Sequence, residues 1–447
     1  MYKPVRSPCH ISHTFAILLR TMELLHKFKA YWKKIGPGVV TGAADDDPSG
    51  IATYSQAGAG HGFTFLWMSL FTFPFMAIIQ EMCARLGIVT GKGLASAIRT
   101  YMPKYVLYVT TILLVVANTF NIGADMSAVG EAVQLLFPQV SLVSVVLFFT
   151  LFSLTLQVFV PYYKYAHYIK YLSFSLVFYI AAAFIVDLDW NEVLHHMFVP
   201  HITWSKDAII LICALLGTTI SPYLFFWQTS QEVEEKRSAK KLHNDFDAVD
   251  TNIRNDIAMS DMRFDVWSGM FFSNLVMFFI ITVCGSVLYP EGITSIETAG
   301  DAAKALLPIA GDKAYLLFTL GIVGTGLLAV PILAGSSAYA LAEALNVRQG
   351  LGYTYKEAKA FYLIIIVSMA LGLLMLFSGL PPMKALFYSA VLNGVIAPVL
   401  LFIIVYISSQ EKIMGEWKNT KLQSFLGWII TGVMGVASIL TLFFLLA

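Results

Sequence analysis

The sequence predicts an all-α polytopic membrane protein with eleven membrane helices, on three observations: its composition, the length of its apolar runs and the sidedness of its charge. The 447 residues are 57% hydrophobic and only 13% charged, with a mean hydropathy of +0.71. That is more apolar surface than a water-soluble core can hide. Apolar stretches of roughly 20 residues recur along the chain, which is the length that crosses a hydrocarbon core of about 30 Å and is too long for barrel strands. Read against turn and charge signals, they place helices at 37–59, 63–87, 105–135, 140–160, 166–186, 207–235, 263–288, 314–345, 358–377, 382–408 and 424–446.

An odd count with a cytosolic start leaves residues 1–34, 85–104, 161–170, 231–263, 346–359 and 409–423 inside and the C-terminus outside. Of the 29 Lys and Arg, only Lys206, Lys304, Lys313 and Lys384 fall elsewhere, which is the asymmetry that orients inner-membrane proteins. The expected organisation is a basic cytosolic tail (1–34), a first five-helix repeat (35–186), an outer loop (187–206), a second repeat (207–408), and an inner loop with the eleventh helix (409–447). The apolar run Phe15 to Leu19 is too short for a signal-peptide core, and Met22 is a second candidate start. The polar connector 231–263 reads as solvated, with a regulatory or gating role as the alternative because it follows the sixth span. A bacterial plasma-membrane location is expected.

Several classes find no support. Cys9, Cys83, Cys213 and Cys284 lack the paired spacing of a zinc site or a disulfide framework. No nucleophile–base pair, His cluster or phosphate-binding glycine loop is readable, so no enzyme, resident cofactor or nucleic-acid partner is expected. A monomer suffices for what remains.

The chemistry lies where the membrane helices break. Backbone groups left unpaired in lipid cost several kcal/mol each, so an interruption needs a reason. The first span carries Gly42-Ala43-Ala44-Asp45-Asp46-Asp47-Pro48-Ser49-Gly50 at mid-depth, and the sixth carries Gly217-Thr218-Thr219-Ile220-Ser221-Pro222. Pro48 and Pro222 remove a donor, and Gly50 loosens the chain. Breaks at matching places in two five-helix halves point to an inverted-repeat transporter with its site at the midplane. Three intramembrane carboxylates are expensive and mark function. Asp47, immediately before the proline, is the leading ligand candidate; Asp45 and Asp46 are expected to support it by reaching water or pairing with a Lys or Arg. In the third span, Asn118, Asn121 and Asp125 share one face, as a polar pathway or as an interhelical hydrogen-bond seam. Asn274, Asn393, Gln157 and Glu343 read as packing contacts, Glu81 with Arg85 as an inner ion pair or gate, and His61 as a solvated loop residue.

Gly36-Pro37-Gly38, the Asp47-Pro48 break and Ala84-Arg85-Leu86-Gly87-Ile88-Val89-Thr90-Gly91 resemble the NRAMP family of divalent-metal transporters. The resemblance implies a LeuT-like fold of two inverted five-helix repeats plus one helix, working by alternating access. It also implies a metal site at Asp47, Gly50, Thr218 and Ser221, with Ser49 and Tyr223 in support. Here the sequence departs from the family. The family's Asp-Pro-Gly-Asn reads Asp47-Pro48-Ser49-Gly50, its Met-Pro-His reads Ser221-Pro222-Tyr223, and a carbonyl-supplying alanine becomes Thr218. The acidic positions of the family's third helix align with Ala124 and Ser127, and Tyr223 and Gln228 replace its histidines.

Loss of the thioether leaves an oxygen-lined site, and loss of the Asn side chain makes it roomier. Both changes suit a partly hydrated Mg²⁺. The expectation is therefore uptake of divalent cations as transported substrate, Mg²⁺ first and Mn²⁺ second, without proton coupling, as in the magnesium-transporting branch of the family. The alternatives are a conventional proton-coupled Mn²⁺/Fe²⁺ symporter and a sodium-coupled organic solute transporter on the same fold.

Overall fold

The structure, a computed structural model, describes residues 36–160, 177–242 and 251–446, and all regular structure among them is helical. The first expected span is two helices, α1 (Pro37–Asp45) and α2 (Pro48–His61). After them come α3 (Leu66–Thr90), the short α4 (Leu94–Tyr101), α5 (Lys104–Leu136) and α6 (Leu142–Phe159). α7 (Val177–Ile185) is the described end of the fifth span, and α8 (Trp190–Phe198) lies in the expected outer loop. The sixth span is again two helices, α9 (Lys206–Thr219) and α10 (Pro222–Leu242). Five long helices complete the chain: α11 (Thr251–Val287), α12 (Ala314–Ala344), α13 (Lys359–Gly372), α14 (Pro382–Ser408) and α15 (Lys421–Leu446).

Among the described residues, nine helical stretches are long and apolar enough to cross a membrane, the α9–α10 pair counting as one. Two of the eleven expected spans are missing from that number for local reasons. The break leaves α1 and α2 too short to be counted, and the fifth span is described only from Val177. The basic tail 1–34, with Cys9 and Met22, lies outside the described residues, as do 161–176 and 243–250 within the inner stretches.

Burial separates central from peripheral helices. In α9–α10, 94% of the most apolar window is buried inside the protein, against 28% in α6 and in α15. Phe148, Leu151, Val436 and Ile439 on those outer helices are exposed, as lipid-facing side chains must be when lipid tails are as apolar as they are. Centrally, small residues bring backbones together: a Cβ on Gly42 would lie 2.3 Å from the Gly269 carbonyl oxygen, so α1 and α11 touch main chain to main chain. At the start of α1, where amides have no intrahelical partner, the Asp265 carboxylate accepts from the Gly38 and Val39 N–H groups at 2.6 and 3.3 Å.

The isolated polar residues divide. Asn274 accepts from Thr72 at 2.9 Å, and Gln157 donates to Ser153 Oγ at 3.3 Å, as packing contacts should. Asn393 departs from that expectation, because its buried amide has no hydrogen-bond partner on either atom. Glu81 does more than pair with Arg85 (3.6 Å): it also accepts from Arg263 (3.1 Å), Trp267 (2.8 Å) and Gln423 (3.0 Å), tying α3 to α11 and to α15. His61 is partly buried at the end of α2, edge-on to Phe65. The connector is not simply solvated where it begins. Glu232 is buried and accepts from Gln228 at 2.8 Å, and the Glu234 carboxylate holds the Leu351 and Gly352 N–H groups at 2.7 and 3.1 Å.

Candidate functional site

In an unbroken helix the N–H of residue 48 would bond the carbonyl of Ala44, and that of residue 222 the carbonyl of Thr218. Both positions are proline, so both carbonyls lose their partner. The chain resolves the two cases differently. The Tyr223 hydroxyl, on α10, donates to the Ala44 oxygen at 2.8 Å. The Thr218 oxygen is taken within its own helix by the Ser221 hydroxyl, at 2.8 Å, which also reaches the Gly217 oxygen at 3.0 Å.

Asp47 sits between α1 and α2 with extended backbone, as the N-cap of α2. Its Oδ1 accepts from the Gly50 N–H at 2.8 Å and the Ser49 hydroxyl at 2.5 Å. Its Oδ2 accepts from Asn121 Nδ2 on α5 at 3.2 Å and faces the Tyr223 hydroxyl at 3.4 Å. Three donors, from Gly50, Ser49 and Asn121, hold the carboxylate at the start of the helix, and the Tyr223 hydroxyl, whose proton goes to Ala44, stands close by. Asn121 is fixed in turn, since its side-chain oxygen accepts from Ser389 at 2.9 Å.

The two breaks meet. A Cβ on Gly50 would lie 3.2 Å from Thr218 Oγ1 and 3.3 Å from the Asp45 carbonyl oxygen. Asp47, Gly50, Thr218 and Ser221 are thus brought to one buried region, with Ser49 and Tyr223 beside them. Asp45 and Asp46 depart from expectation. Neither pairs with a Lys or Arg among the described residues: the Ser273 hydroxyl on α11 serves both, at 2.6 Å from Asp45 and 3.3 Å from Asp46, and both side chains are shut from solvent. The three consecutive carboxylates therefore diverge, and among the described residues no three His, Cys, Asp or Glu converge on one point.

The polar face of α5 splits as well. Asn118 is seam, donating to the Leu333 carbonyl and to Ser337 on α12, both at 3.1 Å. Asn121 belongs to the site, and Asp125 is fully buried. Ser273 and Ser389 escape sequence reasoning because a serine in an apolar span carries no signal of what it will face. Gln228 is held by Thr41 at 2.5 Å and by Glu232.

The sequence pattern described as "Nramp: Natural resistance-associated macrophage protein-like" matches residues 38–444, nearly the whole chain. The chain belongs to the Nramp family. Among its Nramp relatives, "Divalent metal cation transporter MntH" of Caldanaerobacter subterraneus is 25% identical over 439 residues, covering 93% of this chain and 94% of that one. The protein of the same name from Yersinia pestis strain Pestoides F is 26% identical over 409 residues, covering 89% and 91%. In three dimensions the chain is similar to the Eremococcus coleocola manganese transporter, with a TM-score of 0.70 at 17% identity over 92% of this chain and 86% of that one. The nucleobase-cation-symport transporter Mhp1 follows at 0.54 and 14%, covering 92% and 91%, and MhsT in complex with L-phenylalanine at 0.52 and 10%, covering 91% and 98%. These are helical transporter folds of the LeuT class, as the family resemblance implies. The protein is a multi-pass membrane transporter of divalent metal cations. The magnesium-transporting branch is not singled out by these relatives.

Proposed function

We propose that this Nramp protein takes up divalent cations of the oxygen-seeking class, Mn²⁺ foremost and Mg²⁺ alongside it, through the meeting point of its two helix breaks. The observation that carries the reading is Asp47, a carboxylate buried at the break with the Ser49 and Tyr223 oxygens against it and Thr218 of the second break beside Gly50. Carboxylate, carbonyl and water oxygens suit Mg²⁺, Ca²⁺ and Mn²⁺, whereas a thioether would draw softer ions. The names of similar proteins favour manganese, and the missing Met and Asn side chains favour tolerance of a partly hydrated Mg²⁺. The charge asymmetry of the loops supports a cytosolic N-terminus, and an inside-negative voltage drives a divalent cation inward by about 2.3 kcal/mol per charge per 100 mV. Ala124, Ser127, Tyr223 and Gln228 offer no group that titrates near neutral pH, which supports transport without proton coupling.

The test is Mn²⁺ uptake into proteoliposomes, with Mg²⁺, Ca²⁺ and Cd²⁺ as competitors. Saturable uptake that millimolar Mg²⁺ suppresses is expected. Uptake indifferent to Mg²⁺ but suppressed by a small excess of Cd²⁺ would place a soft ligand at the site and overturn the reading.

A further inference from the structure

Among the acidic side chains at the centre of the protein, one is left without help. Asp47 has three donors around it, and Asp45 and Asp46 share the Ser273 hydroxyl. Asp125 is wholly buried, and neither of its carboxylate oxygens has a hydrogen-bond partner. Buried carboxylates are normally held by several donors, because removing one from water without compensation is very costly. A fold that satisfies Asp47 so fully, one helical turn away, leaves Asp125 for something that is not part of the protein.

Its neighbours on α5 fix where it looks. Asn121, four residues before it, donates to Asp47. Val129, four residues after it, packs at Gly326, where a Cβ would meet Val129 Cγ2 at 2.6 Å and Pro48 Cγ at 3.5 Å. Residues 121, 125 and 129 lie along one helix face, so the face that carries Asp125 is turned toward the Asp47–Pro48 break.

We propose that Asp125 is a second carboxylate ligand for the transported cation, receiving it beside Asp47 and supplying the charge that one carboxylate leaves uncompensated on a divalent ion. The proposal rests on the site reading above and adds to it a residue the family resemblance does not provide. The α5 positions at which that resemblance expects acids are Ala124 and Ser127. Ser127 is turned away, donating to the Gly123 carbonyl at 2.7 Å. An unpaired carboxylate also strengthens the preference for hard, doubly charged ions, since affinity in oxygen sites follows the number of ligand charges.

The experiment compares wild type, Asp125→Asn and Asp47→Asn by isothermal titration with Mn²⁺ in detergent, with size-exclusion profile and melting temperature as folding controls. The amide is nearly isosteric and removes an unpaired charge, so folding should be kept; Asp125→Ala serves as the second variant. Mn²⁺ binding weakened by about tenfold or more in Asp125→Asn is the expected result. Binding within threefold of wild type, while Asp47→Asn binds nothing, would overturn this inference and leave the site at Asp47 standing. No Mn²⁺ or Mg²⁺ binding by folded wild type would overturn the site reading itself. A pH-sensitive dye in Mn²⁺-loaded proteoliposomes adds the remaining arm. If Asp125→Asn abolishes a metal-driven acidification and leaves Mn²⁺ affinity unchanged, Asp125 carries protons rather than the metal, and the proposal falls.

Discussion

The two helix breaks begin from one chemical event and end in different structures. Each proline orphans the carbonyl four residues earlier. At the second break the repair is local, the Ser221 hydroxyl folding back on the Thr218 and Gly217 oxygens of its own helix. At the first it is made from across the bundle, by Tyr223 on the Ala44 oxygen, and the same hydroxyl faces Asp47. The first break also carries all the charge. One side of the site is therefore electrostatic and dependent on α10, and the other is neutral and self-sufficient. A substitution at the first break should disturb binding and coupling between helices together, and one at the second should disturb only what the ion touches.

The largest effect is expected from Asp47→Ala. It removes the carboxylate that stands between the two halves of the broken helix, and what remains does not offset partial dehydration of a divalent ion. Radiolabelled or dye-detected Mn²⁺ uptake should fall to background while the protein stays folded and inserted. Uptake within threefold of wild type would move the site elsewhere. Tyr223→Phe comes next. It frees the Ala44 carbonyl and removes a polar oxygen from beside Asp47, a loss of about 1–3 kcal/mol for a buried unsatisfied group. Uptake should drop about tenfold and the melting temperature should fall. Equal effects from Ser221→Ala and Tyr223→Phe on melting would erase the contrast between the breaks.

Ser221→Met with Gly50→Asn sharpens it from the other side. The pair restores the ligand types the family uses, and should shift preference from Mg²⁺ toward Cd²⁺ and Mn²⁺ in competition assays. The room at Gly50 is narrow, with Thr218 Oγ1 and the Asp45 oxygen at 3.2 and 3.3 Å from a new Cβ, so Ser221→Met alone is the gentler arm. An unchanged Mg²⁺ preference in a folded double variant would remove both positions from the site. The smallest effect is expected from Ser273→Ala, which leaves Asp45 and Asp46 without their shared donor but touches none of the proposed ligands. A decrease of about threefold in uptake rate is expected, by analogy with other supporting contacts worth under 1.5 kcal/mol. A complete loss would make Asp45 or Asp46 a ligand.

Much of the fold was legible because its strongest signals are local. Pro48 and Pro222 in apolar runs mark breaks whatever surrounds them, and span lengths follow from bilayer thickness. Asp47 could be read for the same reason, since a charge before a proline in a membrane helix has few uses. What the sequence withheld depends on tertiary approach. Nothing in the local pattern says that Ser273 will stand opposite two aspartates, that Tyr223 will replace the missing amide of residue 48, or that of three polar residues on one face of α5 Asn118 will join a seam, Asn121 the site and Asp125 nothing at all. The start of the connector is a further case: Glu232 and Glu234 look solvated by composition, yet they are spent on Gln228 and on the Leu351–Gly352 backbone.

The measurement that bears most directly on the central claim is isothermal titration of the wild-type protein with Mn²⁺, Mg²⁺ and Cd²⁺ in turn, followed by Mn²⁺ in the presence of excess Mg²⁺. A site built from carboxylate and neutral oxygens, with no sulfur ligand, should bind Mn²⁺, lose it to excess Mg²⁺, and show no more than about a tenfold preference for Cd²⁺. Mn²⁺ binding untouched by Mg²⁺, with Cd²⁺ bound far more tightly than either, would contradict it.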